Sequence, residues 1–361
     1  MSDYWNDRVR SLSPYIPGEQ PKDRKFIKLN TNENPYPPST KVIEAVKNAA
    51  NEGLRLYPDP ECTSFREAVA ARYKVKPENV FAGNGSDEIL AFAFGAFFES
   101  AEKGSKTPPV LFPDITYSFY PVYAKLWDIP FQPVPLRDDY SINIEDYKIA
   151  AGGVILPNPN APTGMPVQLD DILSLAQYQD KNKKVFIIDE AYAAFGASSA
   201  VQCIDKNPNL LTVHTLSKSS SLAGLRAGFA IGNEKLIEAL CRIRDSFNSY
   251  TMDRLALAGA SAAIEDAAYY DEINNRVIAT RERVTTSLRA LDFNVLPSAA
   301  NFIFIKPPKK SGKDFFAALR EKGILVRHFN KERIADYLRV SIGTDDDMDK
   351  FINACREIIC R

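Results

Sequence analysis

Between about residues 60 and 235, short β-branched or aromatic runs alternate with longer amphipathic stretches, and this alternation constrains the fold more than any other feature. It is the pattern of βα units wound around a largely parallel sheet. Residues 79–82, 110–112, 153–156, 185–189, 211–216 and 228–231 are the expected strands, and most end in a polar or glycine-rich turn. Ligands of open α/β sheets collect outside the carboxyl ends of strands, so function is to be sought in those turns.

From residue 234 to about 290 the chain reads as long helices with scarcely a breaker. Strands are then expected at 293–305, 324–328 and 337–342, around a helix at 314–322 and before a closing helix from Asp345. The length of 361 residues suits two domains. The expected division is an arm at 1–40, drawn out by Pro35, Pro37 and Pro38, a large domain at 41–250 and a smaller α+β domain at 251–361.

Against 45 Lys plus Arg stand 46 Asp plus Glu, which leaves no bulk field for nucleic acid or an anionic membrane. Any anion must be bound locally. No stretch approaches the roughly 18 apolar residues of a bilayer span, and the amino terminus lacks an apolar leader core, so a cytoplasmic protein is expected. The five scattered cysteines fit a reduced compartment. With two histidines, a His-based metal site or a Ser-His-Asp triad has little raw material, and no metal is expected.

Four strand-end turns carry chemistry. In VFAGNGSDEIL a strand, two glycines and an apolar helix follow one another, so Ser86 and Asp87 either offer backbone amides to an anion or cap the helix. The dinucleotide pattern fails because Glu88 stands where the third glycine belongs. VFIIDEAY ends a buried run in Asp189, costly unless it meets a cation such as a protonated heterocyclic nitrogen. In TLSK, Lys218 is either a surface charge or, among Ser217, Ser219, Ser220 and Ser221 and eight residues before Arg226, an amine placed to form an imine with an aldehyde. Alone, NPNAPTG is only a turn.

In this order, GNGSDE, NPNAPTG, DEAY and TLSK with GLRAGF resemble the signature set of the fold-type I pyridoxal-phosphate aminotransferases, including the 29 residues from Asp189 to Lys218. LSPYIPG, LNTNENP and LYP look like the histidinol-phosphate branch of that family. The resemblance implies an α/β fold, a large domain whose mostly parallel sheet is flanked by helices plus a smaller α+β C-terminal domain. It implies pyridoxal 5′-phosphate held by Lys218 as an imine, Lys218 as the proton-moving base, Asp189 on the pyridine nitrogen and Tyr192 on the phenolic oxygen. Tyr117 would stack on the ring, while Ser86, Asp87, Ser217 and Arg226 would hold the phosphate. Tyr57 would reach that phosphate from the neighbouring subunit of a homodimer.

Two departures stand out. Ala161 replaces the asparagine usual before Pro-Thr-Gly, leaving Asn160, with Asn158 behind it, as the substitute cofactor ligand, and His214 stands where relatives often carry arginine, with neutral packing as its expected role. By resemblance, Arg339 and Arg327 would take the substrate's carboxylate or phosphate, with Tyr15 and Asn32 lining the entrance. The implied reaction converts L-histidinol phosphate and 2-oxoglutarate to imidazole-acetol phosphate and L-glutamate. An L-threonine-O-3-phosphate decarboxylase and an aromatic amino-acid aminotransferase are the rival enzymes. A cofactor-binding regulatory module would need a DNA-binding element for which the chain has no basic segment.

Overall fold

The structure is a computed structural model and describes residues 3–15, 18–21, 24–101 and 106–360. Its strands are β1 (Ile27–Lys28), β2 (Val80–Gly83), β3 (Val110–Pro113), β4 (Phe131–Val134), β5 (Gly153–Pro157), β6 (Phe186–Asp189) and β7 (Leu210–Thr215). They continue with β8 (Gly228–Gly232), β9 (Asn294–Val295), β10 (Phe302–Lys306), β11 (Ile324–Leu325), β12 (Arg327–His328) and β13 (Leu338–Ser341).

A seven-stranded sheet runs in the order β2-β8-β7-β6-β5-β3-β4. Only β8 is antiparallel to its neighbours. Its inner strands are buried along their whole length because helices cover both faces. Along β6 the side chains alternate, Phe186 and Ile188 joining the core on one face and Ile187 the core on the other. β4 was not expected, because FQPV carries Pro133 and is largely solvent-facing; as an edge strand it tolerates the missing N–H.

A second sheet, β12-β13-β10-β9, is antiparallel and carries its own core around Phe315, Leu338 and Phe351. The arm lies beside it: β1 pairs in parallel with β11 as a separate two-stranded sheet, so residues 27–34 are carried to the strands that hold Arg327 and Arg339.

The expected helical run breaks at residues 248–253, where Asp253 accepts the Leu255 and Ala256 amides and starts a new helix, Arg254–Glu265. That helix packs against Thr40–Ala49 and Thr63–Tyr73 of the first unit. The following helix, Ala267–Arg289, gives Tyr270 and Ile273 to the large core and Val277, Val284 and Leu288 to the small one. The packing therefore changes partner inside this helix, beyond residue 250. Among the described residues, no helix is long and apolar enough to cross a membrane.

Candidate active site

The tips of β5, β6 and β7, the start of the helix Ser86–Phe97, the arm and β13 enclose one cavity of about 290 Å³. Asp189, at the end of β6, is buried there. Its Oδ2 accepts the Tyr120 hydroxyl at 2.8 Å and its Oδ1 the Ala191 amide at 3.2 Å. Burial pushes this carboxyl up to about 6, against the lowering effect of those two donors. Among the described residues no cation pairs with it, and a protonated ring nitrogen in the cavity would supply one. Nothing in the sequence singles out Tyr120, which opens the helix Tyr120–Leu126 and whose backbone amide donates to the Tyr117 carbonyl at 3.3 Å.

Lys218 follows β7, and its Nζ donates to the Thr31 carbonyl at 3.0 Å. Its own carbonyl accepts from Asn34 Nδ2 at 3.1 Å, so the arm grips the lysine loop twice. Burial lowers the amine to about 8, helped by the positive charges of Arg339 and Arg226 and opposed by Glu33 and Asp87. Its neutral, nucleophilic form is therefore reached at lower pH than for an ordinary lysine.

The anion cradle lies where β2 turns into the helix Ser86–Phe97. Gly85 adopts φ +82, and a Cβ there would stand 2.7 Å from Arg226 Nη2. A Cβ on Gly228 would stand 2.7 Å from the Ser86 amide nitrogen. Two glycines thus let a guanidinium, a serine and the first-turn amides converge. Arg226 donates to Ser217 Oγ at 3.3 Å and to Asp87 Oδ2 at 3.2 Å. Asp87 Oδ1 accepts the Tyr117 hydroxyl at 2.7 Å, so its side chain orients a cavity wall as well as countering the arginine.

Tyr192, half-buried in the cavity lining, accepts from Asn32 Nδ2 at 3.0 Å. Arg339 on β13 donates through Nη2 to the Asn30 carbonyl at 2.9 Å, while its buried Nε has no partner. Arg327 lines the same wall, and Tyr15 stacks on Phe119 at 4.3 Å between ring centroids.

Two expected residues lie outside the cavity of this chain. The Asn160 amide group donates to the Ile115 carbonyl at 3.0 Å and to Thr163 Oγ1 at 3.1 Å, so it locks the turn, while Ala161 and Pro162 face the cavity. Asn158 is likewise held in the turn, its Oδ1 accepting the Val167 amide at 2.9 Å. Tyr57 is 77% exposed and stacks on Tyr250 at 4.6 Å. His214 sits behind the site, stacked on Phe229, and burial pushes it down to about 3, so the ring is neutral. The Thr212 hydroxyl donates to the Ile231 carbonyl and must therefore accept from His214 Nε2 at 3.1 Å.

An amine beside an uncompensated acid, a cradle for a multiply charged anion and a tyrosine wall fit pyridoxal phosphate. Arg339, which lines the same cavity and has one buried N–H without a partner among the described residues, suits a second anion.

Residues 24–355 match the model of the family described as aminotransferase class I and II. The chain is 53% identical to the histidinol-phosphate aminotransferase of Clostridium beijerinckii, over 99% of this chain and 98% of that one. It is 52% identical to the histidinol-phosphate aminotransferase of Clostridium acetobutylicum, over 99% and 100%. The crystal structure of histidinol-phosphate aminotransferase from Sinorhizobium meliloti in complex with pyridoxal-5′-phosphate shares the fold, with a TM-score of 0.88 at 24% identity over 100% of this chain and 98% of that one.

Proposed function

The chain belongs to the aminotransferase class I and II family and is a pyridoxal-phosphate-dependent transaminase, and on that premise we propose that it moves the amino group of L-histidinol phosphate to 2-oxoglutarate. The products are imidazole-acetol phosphate and L-glutamate. The observation that carries the reading is a single cavity lined both by Lys218 and Asp189 from the large sheet and by Arg327 and Arg339 from the small one. The names of relatives about half identical to this chain support the substrate and do not favour the decarboxylase or aromatic readings.

When bound, pyridoxal phosphate supplies an electron sink beside the substrate's Cα. Asp189, charged, keeps a proton on the ring nitrogen, and Tyr120 and the Ala191 amide hold that carboxylate in place. Arg226, Ser217 and the first amides of the helix Ser86–Phe97 bind the phosphate. Lys218 Nζ, made easier to deprotonate by burial, takes the proton from the substrate's Cα and carries it to the acceptor carbon. Arg339 and Arg327 hold the substrate phosphate and, in the second half-reaction, a carboxylate of the oxo acid. Tyr15, Phe119 and Phe329 narrow the mouth and exclude water.

The working form is a cytoplasmic homodimer. Leu54, Leu56, Tyr57, Phe247 and Tyr250 are exposed large apolar side chains, and a second copy covering them would bring Tyr57 to the partner's phosphate site. Mixing the purified protein with histidinol phosphate and 2-oxoglutarate tests the reading. Stoichiometric glutamate is expected; no glutamate from this mixture, together with carbon dioxide released from L-threonine O-3-phosphate, would replace it with the decarboxylase.

A further inference from the structure

Pro157 at the end of β5 and Ala161 and Pro162 of the NPNAPTG turn line the cavity, and Asn160 is held within the turn, so no side chain of this turn donates a hydrogen bond there. The Tyr192 hydroxyl has to do more. Its oxygen accepts from Asn32 at 3.0 Å, and among the described residues no group of the chain accepts its hydrogen.

The direction of the Asn32 amide follows from its neighbours. Ser341 Oγ accepts the Asn32 backbone N–H at 2.8 Å, so the serine's hydrogen goes to Asn32 Oδ1 at 3.0 Å, leaving Nδ2 for the tyrosine. Asn301 Nδ2 holds the Asn32 carbonyl at 2.9 Å. All three residues are buried. Asn32 has φ +56, a left-handed conformation that asparagine tolerates better than most residues.

We propose that Asn32 is a positioning residue: by donating to the Tyr192 oxygen it turns the tyrosine's own hydrogen into the cavity, toward the cofactor's phenolic oxygen, where Ala161 offers no donor. The inference rests on the cofactor reading above. A phenol that accepts one hydrogen bond donates the next more strongly. Burial pushes the Tyr192 hydroxyl up, while the charge of Arg339 and the Asn32 amide pull it down, consistent with that polarisation. Because Ser341 and Arg339 share β13, the strand that receives the substrate's anion also orients Tyr192.

The test is the pH midpoint of the visible absorbance of pyridoxal phosphate bound at Lys218, read on holoenzyme without substrate. A donor to the phenolic oxygen favours its anion, so weakening that donor raises the midpoint. Asn32→Ala and Tyr192→Phe are each expected to raise it by about one pH unit, tenfold in the proton equilibrium. The double variant is expected to shift no further than Tyr192→Phe alone. An unmoved midpoint in Asn32→Ala, or a shift of equal size with and without Tyr192, would overturn the proposal. Should Asn32→Ala not fold, Ser341→Ala frees the same amide to turn and must raise the midpoint too; an unmoved value there counts against the proposal. A wild-type protein that takes up no coloured cofactor would instead refute the cofactor reading, and the inference with it.

Discussion

The two ends of the cavity are built in opposite ways. At the cofactor end, Asp189, Ser217, Lys218 and Arg226 stand on adjacent strand tips of one sheet, and Asp189 and Arg226 are hydrogen-bonded before any ligand is present. At the substrate end, Tyr15, Arg327 and Arg339 come from the arm and the small sheet, and Arg339 keeps a buried Nε without a partner among the described residues. The first end is prearranged by the sheet; the second is assembled from segments far apart in the chain. Loss of a group at the cofactor end should therefore slow chemistry, and loss at the substrate end should weaken binding.

The largest effect is expected for Lys218→Ala. Losing the base should cost at least about 10³-fold in kcat. The amine's pH behaviour is open to measurement in the wild type. With its value lowered to about 8, the rate of covalent cofactor capture by the cofactor-free chain should rise with pH and level off above about 8. A rate still climbing at the pH of an ordinary lysine would deny the role of burial.

Asp189→Asn comes next, with kcat expected to fall about 10²-fold and stability to move the other way. A buried carboxyl raised to about 6 binds a proton in the folded, cofactor-free chain that the unfolded chain has already lost. Stability of that form should fall as pH rises from the usual carboxylate value through about 6. The asparagine variant should then be more stable at neutral pH by about 1–3 kcal/mol. Chemical denaturation of both cofactor-free proteins checks the sign. By the same linkage, cofactor affinity should weaken below about pH 6, where Asp189 must first release its proton.

At the other end, Arg339→Lys keeps the charge but loses the fork, and should raise KM for both substrates about tenfold or more while kcat changes less. An equal fall in kcat would mean that this end, too, is part of the chemical machinery. Tyr120→Phe removes one donor to Asp189 and should give the smallest effect, about three- to tenfold in kcat.

The same contrast explains what could be read from the sequence. The cofactor end is contiguous: each strand run ends in its own motif, so Asp189, Lys218 and Arg226 were visible as residues and as spacings. β4 was hidden by Pro133, acceptable only because the strand lies at an edge. Asn160 misled because a shift of one position in a tight turn directs a side chain away from the cavity, and the sequence does not show that direction. Tyr120 was overlooked because its partner, Asp189, lies 69 positions away. Nothing local marks Asn32 as the neighbour of Tyr192, 160 positions on. That contact exists only once β1 has paired with β11 and β13 has brought Ser341 beneath the arm. The role proposed for Tyr57 needs a second copy, which a single chain does not display.

The account stands on one amine and one acid flanking a bound aldehyde cofactor. Borohydride reduction of the coloured protein, followed by peptide mapping, tests it most directly. The cofactor label should be recovered on the peptide carrying Lys218, in an amount that falls with that of the bound cofactor in Asp189→Asn. Label on any other lysine, or an unlabelled Lys218 peptide from fully coloured protein, would contradict it.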